Sequence, residues 1–156
     1  MQSLDKIDRR LLYVLQREGR ISTADLARRL RLSRVPCVTR VKRLEQEGYI
    51  IGYQARLDPQ KVKLDYLVYV QIKLKNTNSL TIQTFNASVT SIPDIMSCHM
   101  LSGDYDYLLK IRTQNTASFR KLLGDVISEL PGVLQTVSFP VMEEVKESAV
   151  LLIDDL

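Results

Sequence analysis

The sequence predicts an α+β protein in two parts, a three-helix part followed by a β-α-β-β-α-β part. Three observations predict it. Over residues 4–47 apolar side chains recur at helical spacing in three successive runs. From residue 66 onward, runs rich in β-branched and aromatic residues alternate with helical ones. The charge also divides the chain: residues 1–60 hold 13 Lys and Arg against 7 Asp and Glu, net +6, whereas 61–156 hold 9 against 11, net −2. With 156 residues and 45% hydrophobic composition, the chain suits one ordinary domain or two small ones, with enough apolar surface to bury a core.

The spacing predicts a first helix over residues 4–18, with Leu4, Ile7, Leu11, Val14 and Leu15 on one face. In a second helix ending at Leu30, Leu26, Ala27 and Leu30 share a face; Ser22 just before it and Asp25 three residues on have the form of a capping box. The turn Arg31-Leu32-Ser33 is short, as a helix-turn-helix requires. A third helix runs from Ser33 to Glu47: Ser33 is a good N-cap, and Pro36 falls in the first turn, where an N–H would be unpaired anyway. Cys37, Val41 and Leu44 recur at i, i+4 and i+7 and should form its buried seam. Gly48 reads as the residue that stops it.

Opposite that seam the projection places Val35, Thr39, Lys42 and Arg43, with Arg34 at the N-terminal edge and Arg40 and Gln46 flanking. Such a face suits a DNA groove: Arg for guanine or phosphate, Thr for a base or phosphate, Val for a thymine methyl. The expected DNA-binding residues are Ser33, Arg34, Val35, Thr39, Arg40, Lys42 and Arg43; Arg28, Arg29, Arg31 and Arg40 also suit phosphate or scaffold roles. A basic amphipathic helix taken alone is more often a solvated face. Here the preceding helix, the short turn and the basic N-terminal part favour double-stranded DNA as the partner.

Residues 49–57 read as a strand ended by Asp58-Pro59, and 49–64 as a connector between residues 1–48 and 65–156. Beyond it the pattern predicts a strand over 66–74, a turn at 76–79, and a helix over 80–91 with Leu80, Phe85 and Val89 inward. Strands follow at 95–101 and 107–112, separated by the turn Ser102-Gly103-Asp104. Next come a helix over 116–130, with Phe119, Leu122, Leu123, Val126, Ile127 and Leu130 inward, and a strand over 133–145. The order is that of the ferredoxin-like fold. Two helices cover one face of its sheet. The other face, expected to be open and apolar, predicts dimerisation. Residues 149–153 read as a further short strand able to pair with another subunit.

Catalysis finds little support. The single histidine, His99, neighbours Cys98 in a strand, where successive side chains point to opposite faces. No Cys/His spacing suits zinc and no glycine-rich loop suits a phosphate, so no catalytic or metal residue and no cofactor is expected. Cys37 and Cys98 sit in apolar patterns, which argues against a disulfide framework. Without a signal segment or a membrane-length apolar run, a cytoplasmic protein with no membrane partner is expected.

Taken in order, these segments resemble the Lrp/AsnC ("feast/famine") family of bacterial and archaeal transcriptional regulators. The likeness is dense at Leu4-Asp5-Lys6-Ile7-Asp8-Arg9, Gly19-Arg20-Ile21-Ser22, Pro36-Cys37, Arg40-Val41-Lys42-Arg43-Leu44-Glu45 and Gly48-Tyr49-Ile50. It continues at Ser102 to Leu109, Leu130-Pro131-Gly132-Val133 and Val141 to Lys146, where the chain is closer to the leucine-responsive than to the asparagine-responsive branch. The family's recognition helix often begins Ser-Pro-x-Pro-Cys; here it begins Ser33-Arg34-Val35-Pro36-Cys37, an arginine standing near the expected groove.

The resemblance implies a winged-type helix-turn-helix domain and a ferredoxin-like domain that senses a free amino acid, leucine-like or other. It places the effector between the ferredoxin-like domains of neighbouring dimers, near the turn between the second and third strands: Leu101, Ser102, Gly103, Asp104, Tyr105 and Asp106. Thr136 and Ser138, on the last strand, could supply hydroxyls from the facing subunit. Asp104 or Asp106 can take an ammonium group, and Gly103 lets backbone N–H groups approach a carboxylate. Gly-Asp-Tyr-Asp is equally a good β-turn. A homodimer would present two recognition helices to successive major grooves, about one helical turn apart. Family resemblance adds assembly to octamers that wrap DNA in the nucleoid. The alternatives are an architectural nucleoid protein that needs no effector, and a binding module docking an acidic protein.

Overall fold

The structure, a computed structural model, describes residues 3–153. The chain packs as two compact units: one holds the residues up to Arg56 together with those from Lys146 on, the other Leu57–Val145. The segment after Val145 thus packs with the N-terminal unit, whereas the sequence reading had grouped it with the second domain.

The N-terminal unit is three helices, α1 (Lys6–Leu15), α2 (Thr23–Leu30) and α3 (Arg34–Gln46). Helix α1 starts later than its apolar pattern because Asp5 caps it: Asp8 N–H donates to Asp5 Oδ1 (2.7 Å), and Asp5 N–H donates to Asp8 Oδ2 (3.2 Å). Ser22 caps α2 by accepting from Asp25 N–H (3.1 Å). Its hydroxyl donates to the Asp25 carboxylate (2.6 Å), so the expected reciprocal bond to the Ser22 backbone is replaced by a side-chain one. Arg31 ends α2 in the left-handed conformation (φ 55°), with its N–H on the Arg28 carbonyl and Leu32 N–H on that of Ala27. Ser33 is the N-cap of α3 by backbone conformation, but its side chain makes no capping bond. Gly48 (φ 77°) follows the last turn, and Ile50 N–H closes it on the Leu44 carbonyl (3.1 Å). Leu11, Leu26, Ala27, Leu30, Cys37 and Leu44 form the buried core of this unit.

Residues 49–57 are not a strand. Among its described residues the unit offers them helices and no β-partner, and a lone strand leaves its ladder groups unpaired. Side chains hold the segment instead: Tyr49 and Ile50 pack on the helical core, and Tyr53 Oη donates to Glu45 (2.9 Å). Burial and that carboxylate push the Tyr53 phenol up to about 12. The expected strand over 149–153 is likewise absent among its described residues. The Gln16 amide pairs with both backbone groups of Leu151 (2.8 and 2.9 Å), standing in for a strand partner.

The second unit is β1 (Tyr66–Leu74), α4 (Ser79–Thr90), β2 (Ile95–Met100), β3 (Tyr107–Thr113), α5 (Thr116–Leu122) and β4 (Val133–Pro140). The sheet runs β2-β3-β1-β4 with every neighbour antiparallel, the expected ferredoxin-like arrangement. Val68, Val70, Ile72, Tyr107, Leu109 and Ile111 pack with Phe85 and Val89 of α4 and Phe119 and Ile127 from the α5 segment.

Three expectations are corrected in this unit. Leu80 is exposed: it lies five residues before Phe85, off the Phe85/Val89 stripe. Helix α5 passes into a π-turn over Leu123–Ile127, with Ser128 N–H on the Leu123 carbonyl (2.9 Å). That extra residue turns Val126 out to solvent and carries Ile127 into the core. Strand β4 stops at Pro140, opposite Val68, because β1 begins only two residues earlier.

The face of the sheet away from the helices is also less apolar than expected. By register it carries Leu67, Tyr69, Leu108, Val137 and Phe139 interleaved with Gln71, Lys73, Lys110, Arg112 and Gln135. Arg112 is paired there with Glu144 (2.6 Å).

Candidate nucleic-acid interface and effector turn

Helix α3 divides cleanly by burial. Cys37 and Leu44 are fully buried and Val41 partly so, which makes the expected seam. Burial raises the Cys37 thiol, so this cysteine is a packing residue. On the opposite side Arg34, Val35, Thr39 and Lys42 are exposed, Val35 at 75%. Val35 is thus an aliphatic group on an otherwise polar and basic face. Thr39 Oγ1 donates to the Val35 carbonyl (3.1 Å), which leaves the oxygen lone pairs outward. Pro36 removes one N–H from the first turn of α3, and Ser33 makes no side-chain cap bond to the others.

The two other basic positions on this helix are arranged differently. Arg40 Nη1 donates to Asp5 (2.6 Å) and to Asp8 Oδ1 (2.8 Å); Arg43 Nη2 donates to Asp8 Oδ2 (2.5 Å). Burial would raise the Asp8 carboxyl, but Arg43, Arg40 and the Asp5 N–H outweigh it and hold the group below its ordinary value. Both guanidiniums are correspondingly raised, each chiefly by its bond to Asp8. The sequence reading missed Asp5 and Asp8. A signal existed: acids at 5 and 8 and arginines at 40 and 43 share the i, i+3 spacing that puts each pair on one helical face. Among the arginines near the turn, Arg28 pairs with Asp25 (2.7 Å) and Arg29 bridges Glu18 through both nitrogens. Exposed pairs of this kind contribute little to stability.

In the second unit the turn after β2 exposes Leu101, Ser102, Gly103 and Asp104, half-buries Tyr105 and buries Asp106. Gly103 has φ 143°, a conformation that strains any side chain. The two acids separate in role. Asp104 is exposed. The Asp106 carboxylate accepts the Leu74 N–H (2.7 Å) where the register of β1 shifts, and it lies 3.7 Å from Lys73 Nζ. Asp106 N–H also donates to the Ile72 carbonyl (2.9 Å). The β2–β3 turn is therefore stitched to the end of β1. Thr136 lies in the cross-sheet row Met100–Tyr107–Ile72–Thr136 that borders the turn, and Ser138 two rows deeper, opposite Val70. Both share a side of the sheet with the core residues they oppose. From Tyr107, Thr136 is two strand spacings away, roughly 10 Å.

Residues 67–151 match the model of the Lrp/AsnC ligand-binding domain and residues 4–51 that of a winged helix-turn-helix DNA-binding domain. The chain belongs to the Lrp/AsnC family of transcriptional regulators. It is 46% identical over 152 residues to the leucine-responsive regulatory protein of Salmonella typhimurium, covering 97% of this chain and 93% of that protein. It is 43% identical over 147 residues to the proline dehydrogenase transcriptional activator of Rhizobium radiobacter, covering 94% of each. Among solved structures it is similar to a Neisseria meningitidis transcriptional regulator in complex with L-Met, with TM-score 0.92, 32% identity and coverage of 97% and 98%. An AsnC-family regulator from Agrobacterium tumefaciens gives TM-score 0.92 at 30% identity, with the same coverage. These are regulators rather than enzymes. No helix among the described residues is long and apolar enough to cross a membrane.

Proposed function

We propose that this regulator reads DNA with the exposed face of α3 and that a free amino acid at the β2–β3 turn modulates that reading. The observation that carries the DNA half is the split of α3: a buried Cys37/Leu44 seam on one side and an exposed Arg34, Val35, Thr39, Lys42 face on the other. Arg34 and Lys42 supply cations at the edges, Thr39 and Val35 the middle, and Ser33 with the helix N-terminus a phosphate contact. The protein works as a homodimer joined through the open sheet face, where Tyr69, Leu108, Val137 and Phe139 supply apolar contact and Lys73, Lys110 and Gln71 polar contact. Dimers assemble further, toward octamers, in the bacterial or archaeal cytoplasm.

For the effector, Asp104 takes the ammonium and the Gly103 backbone approaches the carboxylate. Leu101 and Tyr105 border the side chain, and Thr136 and Ser138 come from a facing subunit. Asp106, already holding the Leu74 N–H, shapes the turn instead of meeting the ligand first. The likeness to the L-Met complex supports an amino acid as the ligand class.

The test is a thermal-shift panel of the purified protein against each free amino acid, repeated on Asp104→Ala. A ligand at about a hundred times its dissociation constant adds roughly 2.7 kcal/mol of stability. One or a few selective shifts, lost in Asp104→Ala, are expected. A flat panel with the wild type would withdraw the amino-acid effector.

A further inference from the structure

We propose that Asp8 is a positioning residue for DNA recognition: from α1 it holds Arg40 and Arg43 of α3, so these two arginines set the orientation of the reading helix and are not phosphate contacts. Resting on the DNA-binding reading above, the role follows from four features of the site.

Asp8 is 1% exposed, and its two oxygens receive three donors, Arg40 on Oδ1 and Arg43 and the Asp5 N–H on Oδ2. A carboxylate is almost never buried so fully unless paired. An apolar side chain of similar size would ordinarily stabilise such a contact at least as well, so the charge is best explained by what it orients.

The geometry is that of a lock. Arg40 and Arg43 lie one turn apart on one edge of α3, and both converge on a single carboxylate fixed at the capped start of α1. Sliding α3 along its axis by a turn, or rotating it by one residue, breaks both bonds. The apolar seam alone is more forgiving, because aliphatic contacts have no direction.

The reading residues are immediate neighbours of the locked ones. Thr39 precedes Arg40 and Lys42 precedes Arg43, each about 100° round the helix, so fixing the arginines fixes where their neighbours aim. Charge points the same way. The positive charges of Arg40 and Arg43 are balanced within the protein by Asp5 and Asp8, whereas Arg34 and Lys42 stand on the exposed face.

The experiment measures the full-length protein on two duplexes, one selected by the wild type from random sequence and one scrambled, each across a salt series. The wild type must first prefer the selected duplex; equal binding to both would overturn the DNA-reading assignment and this role with it. Given that preference, Asp8→Asn is expected to lower the ratio of selected to scrambled affinity by tenfold or more. It is also expected to steepen the salt dependence on scrambled DNA, by about 0.9 in log–log slope for each arginine released to phosphate. An equal loss on both duplexes with unchanged slope would reduce Asp8 to packing and overturn the proposal. Should Asp8→Asn not fold, Arg43→Gln decides: a lower affinity ratio at unchanged slope supports positioning. A slope shallower by about 0.9 marks Arg43 as a phosphate contact and overturns it.

Discussion

Residues on α3 that look alike in sequence differ in what surrounds them. Lys42 and Arg43 are adjacent cations, yet Lys42 is exposed and Arg43 is bound to a buried carboxylate. The first prediction follows from Lys42: Lys42→Ala weakens DNA binding and reduces the log–log salt slope by about 0.9, read from titrations at several salt concentrations. An unchanged slope would take Lys42 off the phosphate list. Asp8 supports a stability prediction. Asp8→Ala removes the shared acceptor of two partly exposed guanidiniums, of which Arg40 keeps Asp5, and should cost about 1–3 kcal/mol, read from urea melts at neutral pH. The pH dependence has a defined sign. The folded carboxyl lies below its unfolded value near 3.9, so its stabilisation is complete above about pH 4 and disappears as pH falls through the lower folded value. The stability gap between wild type and Asp8→Asn should therefore be flat at neutral pH and narrow only in acid. These distinctions were out of reach of helical projection, which ranks positions on one helix by angle. It is blind to Asp8, 32 residues away from Arg40 in sequence.

The elements were legible where a periodic apolar pattern met a chemical stop. Strand β1 matches its expected span because alternating Val68, Val70, Ile72 and Leu74 all face one core. The helix-turn-helix is bounded by Ser22, Arg31, Ser33 and Gly48, each visible as a capping or turn residue. The misses share another cause: they depend on a partner element or on backbone winding. Residues 49–57 have strand composition but no strand beside them among the described residues, the π-turn shifts Val126 out of the core, and β4 ends where β1 begins. Left-handed positions give a paired prediction at this scale. Arg31 occupies φ 55°, so Arg31→Gly should stabilise the N-terminal unit by up to about 1 kcal/mol in thermal melts. Gly132, at φ 79° between α5 and β4, is tighter still, because an added Cβ would meet Thr81 Cγ2 at 2.5 Å. Gly132→Ala should therefore destabilise by about 2 kcal/mol or more, and Thr81→Ser in the same chain should recover part of the loss.

At the scale of the whole molecule, the chain assigns two tasks to two units. The N-terminal unit carries the positive charge and the proposed reading helix; the second carries the proposed effector turn and an amphipathic sheet face. The second unit is joined to the first at both of its ends, because the chain returns after Val145 to the unit it left at Arg56. Gln16 secures that return by pairing both backbone groups of Leu151, and Arg56 donates to the Glu147 carbonyl (3.3 Å). The sequence pattern showed the division itself, through its shift in charge and in periodicity. It did not show the return, since a short apolar tail held by a side-chain amide has no periodic signature. The proposed effector site was the least legible part, because a Gly-Asp-Tyr-Asp turn is one that any hairpin could use.

The most direct test of an amino-acid-tuned DNA reader is its binding to a duplex selected from random sequence, against a scrambled duplex, at physiological salt, with and without each free amino acid at millimolar concentration. The account predicts a clear preference for the selected duplex, and a shift in the binding midpoint with one or a few amino acids that Asp104→Ala abolishes. Equal affinity for the two duplexes would contradict the reading role of α3. A preference unmoved by every amino acid would contradict the effector role of the β2–β3 turn.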